Sequence, residues 1–191
     1  MGRRAEQLKR PIVAAIECIQ GVKTYRALAA RLRPAIHIVE ATDADLRAIH
    51  AWFNPGEPDH PQGRAPGVTN YAAKHGDKIV GFVQMVRRSE DAGPHAGFWL
   101  YSLRVRLTYR GMGLGEDLCN QVIETARAEG APELSLVVNA DNDAAIGLYS
   151  KLGFTRKPVP ELDAQFERDR AAMRHLRMVM SKHLTQSQGA C

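Results

Sequence analysis

The 191-residue sequence has little cysteine and no long apolar run, and both shortages restrict what the protein can be. Its three cysteines, Cys18, Cys119 and Cys191, cannot all pair, and none lies in a CxxC or Cys/His ligand spacing. The sequence therefore argues against a disulfide framework and a structural zinc site, and a reducing, cytoplasmic location is expected. Because no uninterrupted run of about 18 apolar residues occurs, no transmembrane helix is expected.

The excess positive charge lies in the amino-terminal segment. Residues 1–34 contain eight Lys and Arg side chains and two acids, whereas the rest of the chain contains 18 bases and 19 acids. The apolar stretch after Pro11 is short and no small-residue cleavage site follows it, so we expect no secretory signal. Leu8 and Ile12 begin a helical spacing, which predicts a basic helical extension. We expect this extension to add a helical layer or a dimer contact, or to bind nucleic acid or an acidic partner. Because only Tyr25 offers an aromatic ring on which bases could stack, nucleic acid is the less favoured of these partners.

Residues 35–185 are expected to form one mixed α/β domain, with helices packed against a central sheet. Alternating apolar residues predict strands over 36–40, 69–74, 79–87, 97–105, 134–138 and 173–181, with a short strand opening at Gly153-Phe154. Helical spacing predicts helices over 42–53, 113–129 and 142–152, and a partly helical connection over 159–172. The Pro- and Gly-rich stretch Asn54–Gly67 is a long loop that either shapes a substrate pocket or lies free on the surface.

The most informative segment is Val105–Gly115, VRLTYRGMGLG, where a strand ends and a cluster of glycines opens a helix. Main-chain N–H groups at such a helix start, together with the helix dipole, form a site for phosphate oxygens, and glycine allows close approach. A Walker loop would place Lys after the last glycine, where Glu116 stands, and a Rossmann fingerprint reads GxGxxG rather than GMGLG. A purely structural glycine-rich turn is the alternative at this point.

Two ordered motifs give this segment a more specific meaning. Arg110-x-x-Gly113-x-Gly115 resembles the Arg/Gln-x-x-Gly-x-Gly/Ala signature of the GNAT superfamily of N-acetyltransferases. The superfamily's second signature is similar to Asn142-x-x-Ala145-x-x-Leu148-Tyr149-x-x-Leu152-Gly153-Phe154. The similarity covers roughly residues 97–182, including the helix and strand between the motifs, and is absent over 1–34. It implies a GNAT acyl-CoA N-acyltransferase fold, whose central mixed sheet has two splayed strands, and acetyl-CoA as co-substrate.

The resemblance also implies roles for individual residues. The pyrophosphate of acetyl-CoA is expected on the main-chain amides of the glycine turn, and the pantetheine arm beside the preceding strand, in a gap between Val105 and Leu136. Tyr149 is expected near the thioester sulfur as general acid. The residues implied in cofactor binding are Leu103, Arg104, Val105, Arg110, Gly111, Met112, Gly113, Leu114, Gly115, Asn142 and Tyr149.

The chemistry itself is a direct attack of a neutral amine on a thioester carbonyl. A base or water takes the amine's proton, a strand N–H near Leu103 stabilises the developing oxyanion, and a phenol such as Tyr149 protonates the departing thiolate. Holding the two reactants together supplies much of the acceleration. Because no covalent intermediate is required, Cys119 is expected to be a packed core residue.

The general base is not identified by the sequence. Many members of the family place a Glu on the strand that here reads FWLYSLRV, and this chain has none there. A water chain and four side chains are the candidates: Tyr101, Ser102, His95 and Glu40. Four aromatic residues either line the acceptor pocket or fill the core: Trp52, Phe53, Phe98 and Trp99.

We therefore predict an acetyl-CoA-dependent N-acetyltransferase that acts on a primary amine of a small molecule or peptide. The near-neutral chain after residue 34 gives no electrostatic bias toward a strongly charged acceptor. No metal, nucleic acid or membrane partner is expected, and a homodimer is left open. The alternative is a non-catalytic acyl-CoA-binding regulatory module, which the missing strand glutamate supports.

Overall fold

The computed structural model describes residues 35–54, 65–173 and 175–184. The strands are β1 (Ile36–Glu40), β2 (Val68–His75), β3 (Lys78–Arg88), β4 (Gly97–Val105), β5 (Glu133–Asn139), β6 (Thr155–Arg156) and β7 (Arg177–His183). The α-helices are α1 (Asp43–Phe53), α2 (Leu114–Ala128), α3 (Asp143–Lys151) and α4 (Pro160–Met173), and 3-10 turns cover Glu90–His95 and Leu107–Tyr109. The extension predicted over 1–34 and most of the loop predicted over 54–67 lie outside the described residues. No helix in the described part of the chain is both long and apolar enough to span a membrane.

The seven strands form one sheet in the order β1-β2-β3-β4-β5-β7-β6. All neighbours are antiparallel except β4 and β5, which run parallel and pair only from Phe98 opposite Leu134 to Leu100 opposite Leu136. Beyond that point β4 stays paired with β3 and β5 stays paired with β7. The two central strands therefore separate, and the predicted mixed sheet with splayed strands is confirmed.

Helices cover both faces of the sheet because the strand residues alternate between them. Tyr71 and Ala73 of β2 belong to the large core cluster beneath α2, whereas Ala72 and Phe82 belong to the cluster beneath α1. Helix α2 presents its predicted apolar stripe to the first of these clusters: Leu114, Leu118, Val122 and Ala126. The face that carries α1 is called the α1 face below.

Helix α1 begins at Thr42, as predicted, through a reciprocal pair of hydrogen bonds. The Thr42 hydroxyl accepts from the Asp45 amide at 3.2 Å, and the Asp45 carboxylate accepts from the Thr42 amide at 3.0 Å. The same carboxylate accepts from Lys74 Nζ of β2 at 2.8 Å. Burial raises the pKa of Asp45, but the hydrogen bonds from Lys74 and Thr42 outweigh it and hold that pKa below 3.8. This buried ion pair joins the start of α1 to the sheet.

The charged segment before the last strand is a full helix rather than a partly helical connection. Helix α4 runs through Met173, so β7 begins at Arg177 and the strand predicted to start at Met173 was placed too early. Leu162 and Phe166 lie one turn apart and pack against Trp99 and its neighbours. The rest of the helix is mostly exposed, which explains why its apolar periodicity is weak in the sequence.

Candidate active site

Helix α2 begins at a glycine turn that no side chain of the described residues caps. Gly113 is the N-cap residue with a φ of 84°, and Gly111 has a φ of 77°; glycine adopts this left-handed region without strain. The first hydrogen bond of the helix joins the Asp117 amide to the Gly113 carbonyl at 3.0 Å. The amides before Asp117 have no partner within the helix. These amides lie at the positive end of the helix dipole, and such an arrangement binds phosphate oxygens.

The side chains of the other predicted residues of the turn hold the turn in place, so a ligand there would contact their main chain. The Met112 and Leu114 side chains are buried in the core cluster beneath α2. A Cβ on Gly115 would lie 3.3 Å from Cδ2 of Leu148, so glycine lets α2 and α3 approach each other. Arg110 is exposed, and its Nε donates to the Val105 carbonyl at 3.2 Å, which ties the turn to the end of β4.

The gap between β4 and β5 leads to this turn. Leu136 is the last β5 residue that pairs with β4, so the predicted gap between Val105 and Leu136 opens one residue further along β5. Leu103 and Val105 follow on β4, and both pack against the core cluster beneath α2. Strand β4 therefore presents an edge with no β5 partner from Tyr101 to Val105, directly before the uncapped amides.

A β-bulge lies in β4 beside the gap. Phe82 pairs with Arg104 and Gln84 pairs with Tyr101, so Ser102 and Leu103 together face one residue of β3. Ser102 has a φ of 56° and is the one non-glycine residue with positive φ in the described part of the chain. A bulge removes one residue from the hydrogen-bond ladder. The strand N–H predicted to act near Leu103 lies at this interruption.

A cavity of about 230 Å³ opens on the α1 face beside the bulge. Its lining includes Ser102, Phe53 and His50, together with Asn70 and Gln84. The Gln84 amide donates to Asn70 Oδ1 at 2.9 Å, which fixes both side chains across β2 and β3. The cavity is therefore partly polar and large enough for a small amine or the end of a peptide.

The sequence reasoning missed three polar residues of this cavity. Asn70 and Gln84 stand directly opposite each other in register, and Gln84 interrupts the apolar middle of β3. That interruption was the available signal, because a polar residue on a buried strand face needs a partner. His50 is buried on α1, and its place at the cavity depends on how α1 packs on the sheet.

The structure also separates the four aromatic residues whose role the sequence left open. Trp99 is buried with Leu162 beneath α4 and belongs to the core. Phe53 lines the cavity, and Trp52 stacks on it with ring centroids 5.2 Å apart. Phe98 is half-buried near the start of β4. One of the four aromatic side chains therefore faces the cavity directly.

Of the four candidate bases, the structure brings Ser102 to the cavity. Tyr101 packs against the Trp99 ring, and burial raises its pKa against the lowering effect of Arg88. His95 precedes β4 at the end remote from the glycine turn, and burial and then Arg88 lower its pKa. Glu40 lies on the edge strand β1, three strand spacings or roughly 14 Å from β4.

Tyr149 and Cys119 lie in the core cluster beneath α2. Burial, followed by the neighbouring Cys119, raises the pKa of the Tyr149 phenol well above its usual value, so the phenol carries its proton at neutral pH. Burial, followed by Glu116, raises the pKa of Cys119 to about 12. The thiol is fully buried and protonated, and the predicted core role of Cys119 is confirmed.

Asn142, the remaining predicted cofactor residue, lies at the start of α3. Its Oδ1 accepts from the Ala145 amide at 3.2 Å, so the side chain caps the helix. The structure therefore shows a capping role for Asn142, at the carboxyl end of β5 beyond the gap.

Comparisons with known proteins agree with this geometry. A family model described as Acetyltransferase (GNAT) family matches residues 29–154. The mycothiol acetyltransferase of Geodermatophilus obscurus is 32% identical over 120 residues, which are 62% of this chain and 35% of that protein. The chain spans between 25% and 39% of the length of the mycothiol acetyltransferases that it matches.

Solved structures share the fold at low sequence identity. The ribosomal-protein-S18-alanine N-acetyltransferase of Escherichia coli has a TM-score of 0.59 and 20% identity, with 82% of this chain and 98% of that chain covered. A Bacillus anthracis protein in complex with acetyl coenzyme A has a TM-score of 0.53 and 20% identity, with 64% and 65% covered. With the family model matching well over half of its length, this chain belongs to the Acetyltransferase (GNAT) family.

Proposed function

We propose that the protein transfers the acetyl group of acetyl-CoA to a primary amine of a small molecule or peptide by direct attack. One observation carries the proposal: the gap where β4 and β5 part ends at the uncapped glycine turn of α2. The unpaired strand edge can bind an extended arm that contains amides, and the anion site that follows it can bind a diphosphate. Coenzyme A has this shape.

The residues of the turn fit the diphosphate through main-chain amides. Gly111 and Gly113 adopt the left-handed backbone, and as glycines they carry no Cβ of their own that would hinder the approach of a phosphate. The pantetheine arm would extend along β4 from Tyr101 to Val105, where its amides find main-chain partners that β5 does not provide. Bound acetyl-CoA would supply an activated acetyl group, and the bulge at Ser102 and Leu103 would offer its carbonyl a main-chain N–H.

The chain's own groups then serve the transfer. The main chain freed by the bulge at Leu103 donates to the carbonyl oxygen as it gains negative charge. Tyr149, protonated because of its burial, delivers a proton to the departing sulfur. The acceptor amine enters the cavity beside Ser102, which no carboxylate lines among the described residues, and gives its proton to water or to the His50 imidazole there.

The comparisons support an acetyltransferase without fixing its acceptor. The curated relatives are mycothiol acetyltransferases, and the structural relatives include an enzyme named for a protein alanine. The former are above 30% identical and favour a small-molecule acceptor, whereas the latter share the fold alone.

Replacing Tyr149 with Phe tests the general acid. We expect kcat to fall by roughly 10²- to 10⁴-fold, the usual contribution of a positioned proton donor, while the Kd for coenzyme A stays unchanged. Turnover is followed by thiol release over a panel of amines, and Kd by titration calorimetry. Tyr71→Phe is the matched control, because it removes another buried phenol, whose hydrogen bond to Thr125 Oγ1 at 2.7 Å only joins β2 to α2.

Two outcomes would contradict the proposal. Equal kcat values for Tyr149→Phe and Tyr71→Phe would assign proton delivery to water or another group. Tight binding of coenzyme A by the unaltered protein without turnover of any amine would replace the enzyme with a non-catalytic acyl-CoA-binding module.

A further inference from the structure

A second cavity, of about 590 Å³, lies on the protein surface where β4 ends and is lined by several basic side chains. Lys78, Arg104 and Arg106 border it together with Trp52. None of the ion pairs among the described residues involves these three cations. Three positive charges without acidic partners in that part of the chain form an electrostatic site for an anion.

All three cations lie over aromatic rings rather than beside acids: Lys78 Nζ is 5.9 Å from the Tyr109 ring centroid, and the two arginines are closer to theirs. The Arg104 guanidinium carbon lies 4.7 Å from the Phe53 ring centroid, and that of Arg106 lies 4.4 Å from the Trp52 ring centroid. Arg106 Nε also donates to the Ile79 carbonyl at 2.6 Å. Stacking fixes a guanidinium group while leaving N–H donors at its edge for a carboxylate or phosphate.

The basic cavity and the smaller cavity in which we place the acceptor amine have no lining residue in common, but they meet at one contact. Phe53 lines the smaller cavity and carries Arg104 of the basic cavity on its ring. The bulge produces this contact: because Ser102 and Leu103 face one residue of β3, Arg104 stands opposite Phe82 on the α1 face. Without the extra residue, the side-chain alternation of β4 would turn Arg104 to the other face.

We infer that the acceptor is an anionic amine, with its amino group beside Ser102 and its carboxylate or phosphate on Arg104 and Arg106. For a fully extended backbone these residues would lie roughly 7 Å and 13 Å beyond Ser102, and because the bulge shortens the strand, these are upper limits for the separation of the two groups. This inference rests on the proposed function. It departs from the expectation drawn from net charge, because a near-neutral chain can still concentrate cations at one cavity.

The test compares linear amino acids with their uncharged amides. The probes are 4-aminobutyrate, 6-aminohexanoate and 8-aminooctanoate, each paired with the carboxamide of the same length. We expect lower KM values for the carboxylates, most strongly for the longer two. Arg106→Gln should raise the KM of the carboxylates roughly threefold to tenfold, as for a partly exposed charge-assisted hydrogen bond, with little change in kcat or in the KM of the amides. Arg106→Lys should restore part of the difference.

Arg87→Gln is the matched control. Its guanidinium carbon lies 5.6 Å from the Phe98 ring centroid, so the variant loses the same charge and the same type of contact at the other end of β3. We expect its KM values to equal those of the unaltered protein. Titration calorimetry of 6-aminohexanoate gives a second readout that does not depend on turnover.

The outcomes separate this inference from the proposed function. Acetylation of amides and carboxylates with equal KM values would overturn the anionic subsite while leaving the enzyme intact. A rise in the KM of acetyl-CoA for Arg106→Gln, absent with acetyl-dephospho-CoA, would assign the cations to the coenzyme's own phosphate and overturn the inference. Failure of the protein to bind coenzyme A or to acetylate any amine would overturn the proposed function, and calorimetry would then decide the subsite by itself.

Discussion

Replacing Gly113 with Ala tests whether the main-chain amides at the start of α2 hold the coenzyme. Gly113 has a φ of 84°, and an L-residue in the left-handed region is destabilised by roughly 1–2 kcal/mol. For a chain of this length that corresponds to a fall in Tm of about 2–8 °C. The alanine backbone relaxes toward negative φ, which turns the following amides away from the phosphate. Loss of one charge-assisted hydrogen bond weakens binding by about 1.5–3 kcal/mol, or roughly 10- to 150-fold in Kd.

Gly130→Ala is the control that separates a loss of affinity for coenzyme A from a loss of stability. Gly130 follows the other end of the same helix with a φ of 77°, and a Cβ there would have no heavy atom within 4 Å. We expect both variants to lose similar stability in thermal unfolding, and only Gly113→Ala to lose affinity for coenzyme A in titration calorimetry. Equal Kd values for the two variants would refute the assignment of the diphosphate to this turn.

The remaining predictions concern the packing that supports the site. A Cβ on Gly81 would lie 2.9 Å from Cδ1 of Leu118, so Gly81→Ala should destabilise the fold by about 1–3 kcal/mol and Leu118→Ala by about 2–5 kcal/mol. The double variant should lose less than the sum in urea unfolding, because the smaller residue makes room for the new methyl group; additive losses would show that the two do not touch. Asp45→Asn should cost roughly 1–3 kcal/mol at pH 7, whereas Asp43→Asn, in the same first turn but exposed, should cost less. The pKa of Asp45 is lowered in the folded state, so the stabilisation by its carboxylate is present above pH 3.8 and is lost as the pH falls below that value. The difference in free energy of unfolding between the unaltered protein and Asp45→Asn should therefore shrink at pH 3.

Local sequence patterns were sufficient for most of the elements and for the glycine turn. A capping residue such as Thr42 and a glycine cluster at Gly113 act on their immediate neighbours, so their consequences can be read from a few positions. The bulge at Ser102 could not be read in this way, because it exists only relative to the register of β3. The basic cavity depends on the bulge and on the packing of α1, so residues distant in sequence meet there. Sequence reasoning therefore located the glycine turn and the two parted strands, and it missed the polar cavity beside the bulge.

The seam of three residue pairs between β4 and β5 has a consequence for how the protein resists unfolding. Strands β1 to β4 are joined by longer ladders, and so are β5 and β7, so the seam is where the two halves of the sheet can part first. A coenzyme bound in the gap as proposed would contact both β4 and β5 and would hold the two halves of the sheet together. At a concentration of 100 times its Kd it would add about 2.7 kcal/mol of stability, and amide hydrogen exchange from Tyr101 to Val105 would slow in step. The free energy of unfolding would then rise and fall with the concentration of the protein's own co-substrate.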